Sequence, residues 1–459
     1  MGRTTFAILL VLAVLLPAAY VQPPWGYNQA TRLDVLQSLF GHGTIAIDAY
    51  HENTGDKALV GGRYFSDKAP GTVALAAPAF AAAWIVLHAF RLPVDRNPGW
   101  DIAAWITTAG SVGLLSALAA LAFFLLMSRL LDRRSALIAA FAVFLGSVPF
   151  PYATMLFSHA ATVALITFAL WATDRSTGIL VPRKAPSFRH DIFAGLCLGM
   201  AVASEYTSAL VVFGVWLCAL LRNRTSALHQ AAAACLPLLL IPGNNFLISG
   251  SPLGLPYEHV KDFPGMRRGF FGVTFLPDVS VMWNLLFSQY RGLFFWSPFL
   301  LLAFPGYREL RNIHRGIFFV FLLMPLCTVI AISSYAYWTG GWALGPRHIA
   351  SIVPMVAVAA ALGYRRYPRT GTALAALSIL LTGMATLIDP MPPEGNLAPL
   401  VTLYLPAFLK GNFRPNLGTL LGLRGWLSLL ALFVSFLLLA VPLYRSADAQ
   451  STGTSRVKR

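Results

Sequence analysis

Residues 102–128 read IAAWITTAGSVGLLSALAALAFFLLMS, an uncharged apolar stretch that ends at a basic cluster, Arg129, Arg133 and Arg134. A hydrocarbon core of about 30 Å is spanned by about 20 helical residues, so this segment is long enough to cross a bilayer and its basic end marks the side that stays inside. Similar runs recur along the chain, at 4–21, 136–152, 157–173, 192–205, 207–221, 231–248, 292–306, 316–335, 348–364, 371–388 and 425–444. Together they predict an all-α polytopic membrane protein with about twelve transmembrane helices. The chain is 57% hydrophobic and 11% charged, which a soluble core does not explain.

The formal charge of +16 is distributed by side. With the N-terminus inside, 20 Lys/Arg and 5 Asp/Glu fall on the cytoplasmic side, against 14 and 13 outside. Cytoplasmic clusters such as Arg183, Lys184, Arg189 and Arg365, Arg366, Arg369 follow the positive-inside pattern and need no nucleic-acid partner. Both termini are expected in the cytoplasm of a cell whose inner membrane holds the chain. Residues 71–92 (GTVALAAPAFAAAWIVLHAFRL) are long enough to span, yet one more crossing there would invert every later loop. They are therefore read as a helix lying at the outer surface or dipping into it. The apolar start at 4–21 lacks a small-residue cleavage site before Gln22 and is expected to be a retained first helix.

One domain over residues 1–445 follows, with a polar, basic tail at 446–459 expected to be disordered. Its polar mass lies in outer loops at 22–101, 249–291 and 389–424. Residues 192–221 are interrupted by Glu205, Tyr206, Thr207 and Ser208 and predict a hairpin that turns at this polar cluster. Cys197, Cys218, Cys235 and Cys327 all fall in apolar runs without metal-type spacing and read as buried hydrophobes. No motif assigns a cofactor, and no metal ligand set is recognised, although an acid-rich loop is compatible with a divalent metal.

The first outer loop carries seven of the eighteen acids: Asp34, Asp48, Glu52, Asp56, Asp67, Asp95 and Asp101. Arg32, Lys57, Arg63 and Lys68 are interleaved with them. Such a mixture beside a membrane can hold a carboxylate as a general base while its cations bind a lipid phosphate, or it can simply solvate a loop. On the same side, YAYWTGGWALGPRH (335–348) places Arg347 and His348 at the mouth of a helix, where the arginine could meet a lipid phosphate or an acid such as Glu205. His159 and Glu205, with Tyr206, are placed toward the same outer cavity. The loop at 251–291 adds Tyr257 and Arg291.

Two stretches resemble a known family. GGRYFSDKAPG (61–71), followed by an apolar helix, is similar to the "RYFEKPPL" element in the first periplasmic loop of lipid A aminoarabinose transferases and to the His-Pro-Pro element of protein O-mannosyltransferases. Upstream, QATRLDVLQSLFGHG (29–43) resembles that family's "DETRYAEIAREMLxSG", a juxtamembrane helix after the first transmembrane helix. The resemblance covers residues 25 to 100 and is to GT-C glycosyltransferases. It implies juxtamembrane helices in a large first outer loop, a polyprenyl-phosphate-linked sugar as donor, and a cell-envelope acceptor. It also implies that Lys68 contacts the donor phosphate; Arg347, Arg63 and Arg291, on the same outer side, are expected as further phosphate ligands. Asp56, Lys57, Asp67, His159, Glu205, Tyr206, Tyr257 and His348 would line the cavity.

The departure falls at the family's catalytic acid pair, where Gln29 and Ala30 precede Thr31 and Arg32. Asp48 and Asp34 are the remaining candidates for the base, with Asp48 preferred because Asp34 can pair with Arg32 or cap a helix turn. A transporter or lipid flippase is the first alternative, and a catalytically silent membrane scaffold is the second.

Overall fold

A computed structural model describes residues 1–183, 185–260, 263–267, 269, 272–274 and 276–456. The sequence-predicted Lys184, Lys261 and Arg268 lie outside them. The described chain is helical, with one two-stranded hairpin. Its principal helices are α1 (Arg3–Tyr20), α2 (Tyr27–His42), α3 (Gly71–Ala89), α4 (Gly99–Met127, through a π-helical turn at Ala109–Gly113), α5 (Arg133–Phe144), α6 (Ser158–Thr177), α7 (Phe188–Ser204) and α8 (Ala209–Arg222). They continue with α9 (Arg224–Ser249), α10 (Ala303–Ile313), α11 (Arg315–Ser333), α12 (Arg347–Arg366), α13 (Pro368–Ile388) and α14 (Leu430–Arg456).

Eight helical segments among the described residues are long and apolar enough to cross a membrane: α1, α3, α4, α9, α11, α12, α13 and Gly425–Ala449, which contains most of α14. Seven of these coincide with sequence-predicted spans. The other five predicted spans are shorter, broken or more polar. Residues 136–152 divide into α5 and the turn Pro149–Ala153, and 292–306 divide into Leu293–Trp296, a 3-10 turn and α10. Prolines at 149, 151, 298 and 305 account for much of this, since a proline inside a helix removes a backbone donor and clashes with the preceding turn.

The spanning helices differ in how much of their surface faces outward. Only 17% of the α9 window is buried, whereas α12 (VPMVAVAAALGYRR from Val353) is 89% buried at the centre, where its alanines let neighbouring backbones approach. An apolar exterior around a small-residue interior is the arrangement that lipid as solvent demands. The last helix continues to Arg456, so the polar tail whose composition predicts disorder extends α14 through these residues.

Contacts fix the helix directions. Trp105 Nε1 donates to the Ala19 carbonyl at 2.8 Å, and Phe6 stacks on Phe124 at 4.9 Å, so α4 returns antiparallel to α1. Arg129, just past α4, pairs with Asp174 near the end of α6, which puts those two ends together. α7 comes back beside α6 and finishes at Ser204, next to the start of α6. Glu205 then adopts an extended backbone (φ −153°, ψ 106°), breaking the helix before α8 descends. α9 runs parallel to α7, with Gln230 and Ala234 against Gly195 and Gly199.

α3 is long enough to cross, but neither of its ends reaches the Arg129–Asp174 end of the bundle. It starts against Ser204 and leads into Pro93, which packs on Gly99 where α4 begins. Its neighbours are α2, the first half of α4 and α7.

Candidate active site

The site is delivered by a hairpin. Strands β1 (Lys57–Val60) and β2 (Arg63–Ser66) pair antiparallel with Val60 opposite Arg63. The turn Gly61-Gly62 has φ of 56° and 81°, a left-handed conformation that glycine adopts without a Cβ penalty. This register carries Ser66, Asp67 and Lys68 off the strand and into the end of the bundle. Gly71 then starts α3 so close to α7 that a Cβ there would lie 2.6 Å from the Ala203 carbonyl carbon and the Ser204 nitrogen.

Lys68 Nζ sits 3.2 Å from Asp56 Oδ2 and 3.1 Å from Asp67 Oδ1, with both carboxylates buried. Burial pushes the Asp67 carboxyl up to about 6; Lys68 works against this, and neighbouring Asp56 adds to it.

Arg32 on α2 is also buried, against the expectation for a solvated loop cation. Its Nη1 donates to the Asn28 side chain and carbonyl, and its Nη2 reaches Ser158 Oγ at 3.3 Å. Ser158 Oγ in turn donates to Glu205 Oε2 at 2.6 Å, and His159 Nδ1 stands 3.4 Å from the same oxygen. Thr207 Oγ1 donates to Glu205 Oε1 at 3.1 Å. The sequence-predicted turn thus holds its carboxylate through three neighbours, two at the start of α6 and one in the turn itself.

The chain continues toward α12. His159 and His348 meet edge to face at 5.8 Å, His348 meets Tyr335 at 5.3 Å, and the Arg347 guanidinium lies 5.5 Å from the centre of the Phe157 ring. Gly340, with φ 74°, passes so close that a Cβ would stand 2.7 Å from Arg347 Nε. Arg347 has no carboxylate within ion-pair distance among the described residues, and its Nε and His348 Nδ1 are buried without a hydrogen-bond partner.

The tyrosines tie these parts together. Burial raises the Tyr335 phenol; Arg347 opposes that rise, while Glu205 and Asp67 add to it. Tyr257, half-buried and edge-on to Tyr206 at 6.1 Å, is likewise raised by burial and then by Asp67 and Glu205. Three cations (Arg32, Lys68, Arg347) and three carboxylates (Asp56, Asp67, Glu205) therefore share one end of the bundle. Only Arg347 among these cations has neither a carboxylate partner nor a side-chain hydrogen bond. An anion entering the cluster would find that fork free.

Other expected site residues lie elsewhere. Asp48 is exposed in the loop before the hairpin, accepting from Arg63 Nε at 2.9 Å and from the Tyr64 N–H at 2.7 Å. Burial would raise its carboxyl, but those two donors outweigh it and hold it below the usual range. Arg63 is occupied by the same pair, and Lys57 donates to the His51 carbonyl over the Tyr64 ring. Asp34 does not pair with Arg32. It is fully buried, accepts from Asn53 Nδ2 at 3.1 Å, and is pushed up to about 7 by burial against the opposing effects of Asn53 and Lys57.

Arg291 is buried and held by the Ala343 and Gly341 carbonyls. Among the described residues, no three His, Cys, Asp or Glu side chains are grouped as a metal ion needs.

Beside this cluster lies a cavity of about 480 Å³ that sequence reasoning missed, with Gln29, Asp101, Asp389 and Arg414 among its lining residues. One signal was available: no acid occurs between Glu394 and Asp448, so Arg414 had no nearby partner in sequence.

No family model matches the chain, and no curated protein sequence matches it. The oligosaccharyltransferase of Archaeoglobus fulgidus in its apo form is similar in structure, with a TM-score of 0.52 at 14% identity over 85% of this chain and 57% of that one. The chain thus spans little more than half the length of that protein. ArnT from Cupriavidus metallidurans is similar at a TM-score of 0.45 in two states, apo and bound to undecaprenyl phosphate. Identity is 14% and 15%, over 97% of this chain and 75% and 76% of those chains. The oligosaccharyltransferase likeness shows the fold, which is the GT-C one that the first-loop elements resemble.

Proposed function

We propose that the protein is an inverting membrane glycosyltransferase that takes a sugar from a polyprenyl-phosphate donor and passes it to an extracytoplasmic acceptor. The observation that carries this reading is the meeting of Lys68 and the carboxylate-free Arg347 around Glu205 at one end of the bundle. A phosphate there would engage the Arg347 fork in two parallel hydrogen bonds and draw on Lys68 as a point charge. Glu205, with a side chain 19% exposed, is the accessible carboxylate of the network, and His159 and Ser158 hold its Oε2. It takes the acceptor hydroxyl's proton as the oxygen attacks the anomeric carbon. The bond to phosphate breaks, and the lipid phosphate leaves with the electron pair beside Arg347 and Lys68. This assignment moves the base from the first loop to the α7–α8 turn.

In the same reading the shorter helices α5 to α8 and α10 complete about twelve crossings, the termini face the cytoplasm, and the site opens outward. A cysteine introduced at exposed Glu52, near Asp56, should react with an impermeant thiol reagent added outside intact cells, and one at exposed Arg366 should not. Equal labelling at both positions would overturn the orientation.

Lys68→Ala and Arg347→Ala should each weaken undecaprenyl phosphate binding to the purified protein by about tenfold or more. Loss of a charge-assisted contact costs about 1.5 to 3 kcal/mol. The Arg347 variant should lose more, because Lys68 already has two carboxylate partners. Parent-like binding in both would place the donor elsewhere.

A further inference from the structure

The cavity beside Gln29 has the chemistry of a sugar-binding site rather than of a lipid groove. Its volume of about 480 Å³ suits one or two hexose rings. Two indole rings line it, Trp25 at 53% exposed and Trp342 at 62%, so each keeps a face free for the apolar C–H face of a pyranose. Between them stand planar polar groups, Gln29, Asp101, Asp389 and Arg414, of the kind that hydrogen-bond adjacent hydroxyls in pairs.

These groups are built in rather than merely exposed. Arg414 is about nine-tenths buried, its Nη1 donates to the Thr386 carbonyl at 3.3 Å and Thr154 Oγ1 at 3.4 Å, and its Nη2 has no partner. Asp389 Oδ1 accepts the Met391 N–H at 2.8 Å, and Oδ2 has no hydrogen-bond partner among the described residues. The Trp25 ring and the backbone around Trp342 are braced. Trp25 stacks on Trp100 at 5.7 Å and 11°. The residues flanking Trp342 are clamped by Arg291 through the Gly341 and Ala343 carbonyls, and Leu344 N–H reaches the Pro390 carbonyl at 3.1 Å. Buried Arg291 thus holds the backbone on either side of Trp342.

We propose that this cavity binds a hexopyranose unit of the acceptor, with Trp25 and Trp342 as stacking platforms and Asp389, Asp101, Gln29 and Arg414 as its hydroxyl ligands. The word acceptor rests on the transferase reading; the carbohydrate class does not. Two carboxylates and one guanidinium leave no excess of positive charge, which disfavours a phosphate and favours a neutral hydroxyl-rich ligand.

The test is titration of the purified full chain with glucose, galactose, mannose and cellobiose, followed by tryptophan fluorescence and saturation-transfer NMR. At least one of these sugars should bind saturably in the millimolar range. Trp342→Ala, at an exposed position that leaves the fold intact, should weaken that binding at least tenfold, and Arg414→Gln should do the same. Lys68→Ala should leave it unchanged. No saturable binding by any of the four, or equal affinity in Trp342→Ala, overturns the proposal. Sugar binding that persists while undecaprenyl phosphate binding proves independent of Lys68 and Arg347 would sink the donor reading and leave this one standing.

Discussion

Asp34→Asn is expected to raise the melting temperature at pH 8 and to flatten the dependence of stability on pH. Asp34 has no exposed surface, and burial pushes its carboxyl from the model-peptide value of 3.8 to about 7. A carboxyl that binds its proton more tightly in the folded state stabilises that state fully at low pH. The contribution is lost as pH rises through the window from about 4 to about 7 and stays lost above it. A shift of this size corresponds to about 4 kcal/mol between the two ends of the window, at about 1.4 kcal/mol per unit.

An asparagine carries no charge at any pH and keeps the acceptor for Asn53 Nδ2. Its amide nitrogen would take the place of Oδ2, which has no partner, at a cost of about 1 to 3 kcal/mol. The net gain at pH 8 is therefore about 1 to 3 kcal/mol, and thermal unfolding of parent and variant between pH 4 and pH 8 measures it. A variant that loses stability at pH 8, or that retains the parent's pH slope, would show that Asp34 is ionised and well solvated in the fold. Measured on the same samples, transfer activity separates two roles. A stabilised variant without activity would return the base to the juxtamembrane helix, whereas retained activity would leave Asp34 as a buried acid beside the site.

How far the sequence could lead is seen in the same residues. The apolar runs were legible because a bilayer requires about 20 uncharged helical residues, a signal that neighbouring helices do not alter. The helices that pack inside the bundle were less so. α5 is cut at Phe144 before Pro149, and α10 starts late, because interior helices surrounded by protein need not match the bilayer thickness.

The turn at Glu205 was readable as four polar residues between two apolar runs, and Lys68 was readable from the hairpin motif. Their sharing an outer cavity with Arg347 was an expectation from the side of the membrane, but the contacts were not readable, since they depend on where α6, α7 and α12 meet one another. Asp48 is a different case. It was preferred as the base because Asp34 could pair with Arg32, and the register that places Arg63 opposite Val60 leaves Arg63 beside Asp48 on an exposed edge. The cavity at Gln29 draws residues from five separate segments, none of which carries a local pattern.

Glu205→Gln is expected to reduce sugar transfer by about 10² to 10⁴-fold, the range that a positioned general base contributes, while undecaprenyl phosphate binding stays within a few-fold of the parent. The amide is close in shape to the carboxylate and still offers an oxygen to Ser158 Oγ, so the α7–α8 turn and buried Arg32 keep their packing. It cannot take the acceptor's proton. Asp48→Asn should remain near parental activity, because an exposed pair with Arg63 contributes about 1 kcal/mol or less and the Asn oxygen still accepts the Tyr64 N–H. The informative result is the ranking of these two variants in one assay, with radiolabelled polyprenyl-phosphate sugar in membranes where the parent turns over. If Asp48→Asn is inactive and Glu205→Gln transfers normally, the base sits in the first loop and the polar turn has a structural task. If both transfer normally, the carboxylates beside Gln29, Asp101 and Asp389, are the groups left within reach of a bound acceptor. Their position next to the missing acid pair would then explain how the fold retains its chemistry with Gln29 and Ala30 where acids are expected.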